Sequence, residues 1–294
     1  MTTLPVWADS LASLPAAPRP MTFEALAALP DDRIEVALGA MLIARDAYAG
    51  LDPAQVITRF DELAAPLRAQ GIASLSPLEQ AQTVSAHLYE GLGFRGNEQD
   101  YYDPKNSLLP DVLDRKLGIP ITLAVVYCEV ATRAGVRARG VSFPWHFLVR
   151  IDPVGCDDAP QAVDPFYAGR PLGAADLEQL LERAAPQQKL VPEEHLAPAS
   201  PRTILVRMLI NLKWIYATRG DFARALLALD RILCLTPNSI PALRERSVLA
   251  ARLGSIEAAR ADLSRLLEIV PEAPEANAIR RQLADLRAKV AVLN

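Results

Sequence analysis

From residue 22 to residue 90, apolar residues recur every three or four positions, the period of helices with one buried face. Asp52-Pro53 supplies an N-cap and a proline at the first helical position, and Gly71 supplies a stop. Ser76-Pro77-Leu78-Glu79 reads as a capping box, opening a helix that Gly91 ends. Leu78, Ala81, Val84 and Leu88 form its predicted core face. The pattern then breaks. Residues 91–107, GLGFRGNEQDYYDPKNS, are rich in Gly, Asn, Asp and Tyr, and loops of this length are uncommon and often functional. Helical spacing returns from Leu108 to Lys116, with Ser107 as the cap. It returns again at Pro120, with Leu123, Val126, Tyr127 and Val130 as the apolar face and Gly135 as the stop. Few charges lie between Pro120 and Val130, so this second helix is expected to be buried all round.

Short strands follow at Val136 to Ser142, His146 to Asp152 and Gln161 to Asp164. Phe143-Pro144-Trp145 makes a tight corner between the first two, and Pro153 to Pro160 is a polar turn holding Cys156. Tyr167-Ala-Gly169 suggests a further hairpin, and Ala174 to Arg183 a helix. Four prolines in residues 185–201 mark a linker that no helix crosses. Beyond it the chain repeats. Gly220 and Gly254 are 34 residues apart, as are Ala225 and Ala259, Leu229 and Leu263, and Pro237 and Pro271. That period is the tetratricopeptide (TPR) signature, with Glu275 to Leu293 as the capping helix. Two repeats and a cap make a short array, which is expected to lean on the preceding domain.

Composition narrows the class. The chain has 294 residues, 51% hydrophobic and 22% charged, enough for two domains. Residues 1–20 are Pro/Ala-rich, carry no signal-peptide pattern, and are expected to form a loosely ordered arm. No window has the length and apolarity of a membrane span. Three widely spaced cysteines suit a reducing cytosol, so a cytoplasmic location is expected. Three histidines without HExxH or CxxC spacing argue against a metal site, and nothing implies a cofactor. Net charge is −4, divided as +6 over residues 200–294 and −10 over the rest. The two parts dock on each other, or the basic part takes an acidic partner.

The candidate chemistry lies between Tyr101 and Asp164. His146 opens one strand and Asp164 closes another, beside a buried helix, which is the frame of a thiol acyl-transfer site. Asn97, Tyr101, Tyr102, Asp103 and Asn106 either supply polar groups to a cleft or fix their loop to itself by Asx-type bonds.

This stretch resembles the SirB family of bacterial proteins, which pair a transglutaminase-like core with TPR helices. The matching residues are Gly96-Asn97, Asp100-Tyr-Tyr-Asp-Pro104, Asn106-Ser107, Val112-Leu113, Gly118-Ile-Pro-Ile121, Phe143-Pro144, His146-Phe-Leu148 and Asp164-Pro-Phe166. The resemblance implies an α+β protein. A helical N-terminal region joins a transglutaminase-like (papain-like) core of helix and antiparallel sheet over 21–184. A linker at 185–201 leads to an all-α TPR-like domain over 202–294. It also implies a Cys at the head of the core helix, a His and an Asp. His146 and Asp164 match the last two, and the Cys position falls at or beside Pro120.

Two functional readings follow. In the first, a transglutaminase-like domain without its nucleophile is an interaction module for a protein or peptide partner. Arg207, Arg244 and Arg252 on the first helices of the repeats then suit an acidic peptide or a C-terminal carboxylate. In the second, Ser107 or Thr122 replaces the thiol and His146 is the base of an amide or ester hydrolase. Cys128, deep in the core helix, and Cys156, in a polar turn, are poorer nucleophiles. Nucleic acid is the least favoured partner, because the chain is acidic overall and has no Gly/aromatic RNA motif.

Overall fold

The computed structural model describes residues 22–155, 158–272, 274 and 276–293. The expected arm over 1–20 and Cys156 lie outside the described residues. Four helices come first: α1 (Phe23–Ala27), α2 (Val36–Arg45), α3 (Pro53–Ala69) and α4 (Pro77–Ser85). The Ser76–Glu79 capping box forms at the head of α4. The rod continues past Ser85 as a π-helical stretch, Ala86–Gly91. Ala81, Val84 and Leu88 are buried as the spacing predicts, but Leu78 is 45% exposed. Pro77 and Gln80 fill that edge of the buried face instead.

A two-residue strand, β1 (Arg95–Gly96), pairs in parallel with β2 (Leu117–Gly118) across a short helix, α5 (Leu109–Arg115). The core helix α6 (Pro120–Arg133) follows, buried from Pro120 through Tyr127. Its Tyr127 hydroxyl donates to the Ala81 carbonyl at 3.1 Å, joining α6 to α4. A four-stranded antiparallel meander packs on α6: β3 (Ala138–Val141), β4 (Leu148–Ile151), β5 (Gln161–Asp164) and β6 (Arg170–Leu172). Val149 pairs with Val163, and Ala162 with Leu172. The two-residue period sorts the sheet. Val149, Ile151 and Val163 join the cluster around α6, while Leu148, Ala162 and Leu172 join a second cluster with α7 (Ala174–Ala184).

The segment after α7 is not featureless. It holds a single-turn helix, α8 (Pro192–His195), and Ala199 N–H donates to the Gly140 carbonyl at 2.8 Å. Pro201 is already the first residue of α9. The TPR-like region is α9 (Pro201–Thr218) with α10 (Phe222–Leu235), α11 (Ile240–Arg252) with α12 (Ile256–Ile269), and α13 (Ala276–Leu293). Gly220 and Gly254 turn the chain at φ 75° and 83°, values that glycine adopts without strain. Ala225 and Ala259 are fully buried where the helices cross.

The basic and acidic parts dock on each other. Arg202 reaches Asp31 at 2.7 Å and the carbonyls of Ala27, Leu29 and Leu235. Arg231 grips Asp46 at 2.9 Å and also Glu24. One apolar cluster runs from Phe23 through α6 and α9 to Leu286. Among the described residues, no helix is long and apolar enough to cross a membrane.

Candidate functional site

The head of α6, the β3–β4 corner, the β5–β6 turn and α7 surround a cleft of about 540 Å³. Pro120, Tyr101, His146, Phe166, Tyr167 and Arg183 contribute to its lining. His146 does not open β4. It sits two residues before the strand, at the end of a four-residue turn closed by its N–H donating to the Phe143 carbonyl at 3.1 Å. Pro144 takes the second position of that turn and Trp145 the third. Trp145 has φ 55°, the left-handed region usually reserved for glycine, and it is 89% exposed.

The imidazole of His146 is held from one side. Its Nε2 lies 2.9 Å from Asp164 Oδ2. The other carboxylate oxygen accepts the Phe166 N–H at 2.9 Å and the Tyr167 N–H at 3.3 Å. A carboxylate accepts only, so Nε2 carries a proton, and in the neutral ring the lone pair is then on Nδ1. Nδ1 has no hydrogen-bond partner among the described residues. This is the geometry of an oriented base. Pro120 lines the same cleft at the start of α6 and offers neither a thiol nor a hydroxyl.

The Asn- and Asp-rich loop knits itself together. Asn97 Nδ2 donates to Asn106 Oδ1 at 3.0 Å, and Asn106 Nδ2 donates to the Asp100 carbonyl at 2.7 Å. Asp103 accepts the Lys105 N–H at 3.1 Å. Asn97 and Asn106 are buried while Tyr101 and Tyr102 project, at 39% and 54% exposure. The loop's buried polar groups thus work as scaffold, and its tyrosines face outward. Burial, with Tyr102 adding to it, raises the Tyr101 phenol above its ordinary pKa.

Neither hydroxyl candidate lines the cleft. Thr122 Oγ1 is fully buried, donates to the Asn106 carbonyl at 2.7 Å and accepts the Ile119 N–H at 3.1 Å. Ser107 does not cap α5. It closes the preceding 3-10 turn with φ −101° and ψ −7°, outside the extended conformation that a cap requires, and Leu108 takes the cap position. The Ser107 hydroxyl is buried with no hydrogen-bond partner among the described residues. Cys128 lines a separate, mostly apolar cavity of about 250 Å³. Desolvation first, and the Glu129 charge second, push its thiol up.

The three TPR arginines have different surroundings. Arg207 reaches back to the cleft, donating to Ser142 Oγ at 2.6 Å and to the His146 carbonyl at 3.2 Å, with Phe147 under its guanidinium. Burial lowers its pKa, partly offset by Tyr101. Arg252 stacks on Phe222, 3.8 Å from the ring centroid, and Arg244 is exposed on α11. Sequence reasoning named Arg207 for a TPR groove and placed Trp145, Phe166, Tyr167 and Arg183 in turns, matching residues or a helix end without assigning them to the site. The available signal was Trp145, a large aromatic after Pro144 where a turn of this shape calls for glycine. Among the described residues, no group of three or more His, Cys, Asp or Glu side chains is placed to hold a metal ion.

Comparison with known proteins places this geometry. Residues 54–210 match the transglutaminase-like superfamily, and residues 212–284 match the tetratricopeptide repeat. A UPF0162 protein of Xylella fastidiosa is 43% identical over 271 residues, 90% of this chain and 94% of that one. The chain belongs to the UPF0162 family of transglutaminase-like proteins. The UPF0162 protein of Pseudomonas aeruginosa is 30% identical over 269 residues, 92% of this chain and 96% of its own. Human F-box only protein 21 is 31% identical over 190 residues, 60% of this UPF0162 chain but 29% of that longer protein. No solved structure matches. In the UPF0162 chain, α9 straddles the boundary between the two matched regions.

Proposed function

We propose that this chain is a non-catalytic interaction module, in which a transglutaminase-like cleft binds a protein partner instead of acylating a nucleophile. The observation that carries this is Pro120. It lies at the head of the core helix, in the cleft that holds the oriented His146–Asp164 pair. A base and its orienting carboxylate do no acyl transfer without a nucleophile in reach. The Thr122 hydroxyl is committed to the backbone, and the Ser107 hydroxyl is buried away from the cleft lining. The preserved pair then fixes the shape of the cleft and offers one acceptor, Nδ1, to a ligand.

The TPR helices extend the surface, as such repeats commonly do in protein–protein recognition. The proposal takes residues 21–184 as the transglutaminase-like unit and 202–294 as the TPR-like unit, joined by 185–201. It keeps the regulatory association suggested by the SirB resemblance, and a cytoplasmic location on the cysteine usage.

The test is turnover. Purified full-length chain is offered panels of amide and ester substrates, with His146→Ala as the control. No His146-dependent turnover is expected. Hydrolysis or transfer that disappears in His146→Ala overturns the proposal in favour of an enzyme.

A further inference from the structure

Five aromatic rings lead out of the cleft in an unbroken series. Tyr167 packs on Phe166 at 5.2 Å between centroids, Phe166 on Tyr101 at 5.9 Å, Tyr101 on Tyr102 at 5.2 Å, and Tyr102 on Trp214 of α9 at 4.7 Å. All but Phe166 are more than a third exposed. The Arg219 guanidinium donates to the Tyr102 carbonyl at 3.1 Å and fixes the far end of the track to α9. At the near end stands Trp145, almost wholly exposed and held in a left-handed conformation that a bulky residue adopts only when the surroundings impose it. A series of exposed rings, three of them tyrosines with an apolar body and a polar tip, offers a partner one stacking surface across two structural units.

Charge says what covers it. The carboxylates nearest the cleft are already engaged: Asp164 is buried behind His146 and bonded to it, and Asp176, in the adjoining pocket that Arg183 also lines, is paired with Arg170. Arg183 lines the cleft with no ion-pair or hydrogen-bond partner among the described residues. Arg207, half-buried at its edge, is spent on a hydroxyl and a carbonyl and has no carboxylate. A segment carrying carboxylates complements both arginines. The rings favour a chain that is already extended. Aromatic-lined grooves take polyproline-like segments, which rise about 3.1 Å per residue. Four ring-to-ring steps of this size make a path that about seven such residues would follow.

We infer that the cleft and the aromatic track form one docking surface for an extended, acidic, proline-containing segment of a partner protein, clamped at one end by Trp145. This rests on the non-catalytic reading and gives it a partner chemistry. Trp145 contributes an indole to the ligand, and its conformation is maintained at the expense of stability.

The test is selection of a random dodecapeptide phage library on immobilised full-length chain, with Trp145→Gly and Tyr102→Ala/Trp214→Ala as counter-baits. Enriched peptides are expected to carry proline together with Asp or Glu. Their synthetic forms should bind Trp145→Gly and the double variant at least about tenfold more weakly, a loss of about 1.4 kcal/mol. Trp145→Phe keeps a ring and should retain binding. Trp145→Gly should melt at a higher temperature than the parent, because glycine takes the left-handed turn freely. Loss of binding with a gain of stability separates a docking role from a folding defect. Failure to enrich any peptide, enrichment of basic peptides, equal binding to the counter-baits, or displacement of the peptides by neutral oligosaccharides overturns the inference. A silent substrate panel together with a failed selection defeats only this docking surface, whereas His146-dependent turnover defeats the non-catalytic reading beneath it.

Discussion

The Nε2 of His146 meets Asp164 Oδ2 at 2.9 Å across adjacent strand ends, and the same carboxylate holds the turn that carries Phe166 and Tyr167. One buried group therefore orients both the imidazole and two of the rings beside it. Asp164→Asn keeps the shape but turns an N–H toward Nε2, which must then give up its proton. The neutral ring should carry its proton on Nε2 in the parent and on Nδ1 in the variant, read by nitrogen NMR of the imidazole. Stability should fall by about 1–3 kcal/mol in denaturant unfolding. An unchanged tautomer would show that the bond does not set the ring.

The turn after β5 is gripped from three directions. Besides Asp164, Tyr89 OH donates to the Pro165 carbonyl at 2.6 Å, and Ser85 Oγ donates to the Gly169 carbonyl at 2.7 Å. Gly169 has φ 65°, and a Cβ there would overlap Ser85 Oγ and the Tyr89 ring. Gly169→Ala thus meets both backbone strain and a packed wall. It should cost about 2–4 kcal/mol. Urea unfolding checks this, and a loss under about 0.5 kcal/mol, the size of an ordinary surface substitution, would mean the turn relaxes easily.

Arg202 binds the TPR-like helices to the N-terminal segment through Asp31 and the Ala27 and Leu29 carbonyls, and also caps the Leu235 carbonyl of α10. Arg202→Ala strands those acceptors and should cost about 2–3 kcal/mol, with little rescue by lysine, which lacks the planar fork. The contact also responds to pH. The Ser200 hydroxyl first, and Arg202 next, hold the Asp31 carboxyl below its ordinary value. Its contribution is complete above the ordinary aspartate value of about 4 and is lost as pH falls through the lowered folded value. Acid titration of the parent and Arg202→Ala should therefore show their stability difference shrinking below about pH 4. A difference that stays constant through that range would put the Arg202 contribution in the carbonyls alone.

Much of the frame was legible along the chain. Proline at the start of α6 and the run Gln161–Asp164 mark two elements at their true bounds, because a ring-locked N1 and a short bounded strand are local signals. The 34-residue spacing of Gly220 and Gly254 is equally local. What could not be read is set by packing between distant segments. Tyr102 and Trp214 lie 112 residues apart and meet only because α9 folds back over the loop. Arg207, read from the sequence as a residue of a first TPR helix, sits on α9 before the residues that match the tetratricopeptide repeat, and it turns toward Ser142 because α9 packs against the transglutaminase-like unit. Ser107 has cap chemistry but lies in a 3-10 turn dictated by Pro104 and by the Asp103 side chain. Leu78 is exposed because Pro77 and Gln80 complete the buried edge of α4.

The decisive measurement is made on Pro120→Cys, in a chain whose Cys128, Cys156 and Cys234 are replaced by alanine. The rate of alkylation by iodoacetamide at neutral pH is compared with that of free cysteine, with and without His146→Ala. If Pro120 holds the nucleophile's place, the helix terminus and the imidazole stabilise the thiolate. Alkylation should then run about tenfold faster or more, and the gain should vanish with His146→Ala. A thiol at position 120 that reacts no faster than free cysteine, or that ignores His146→Ala, contradicts a transglutaminase-like site whose nucleophile has been replaced by proline.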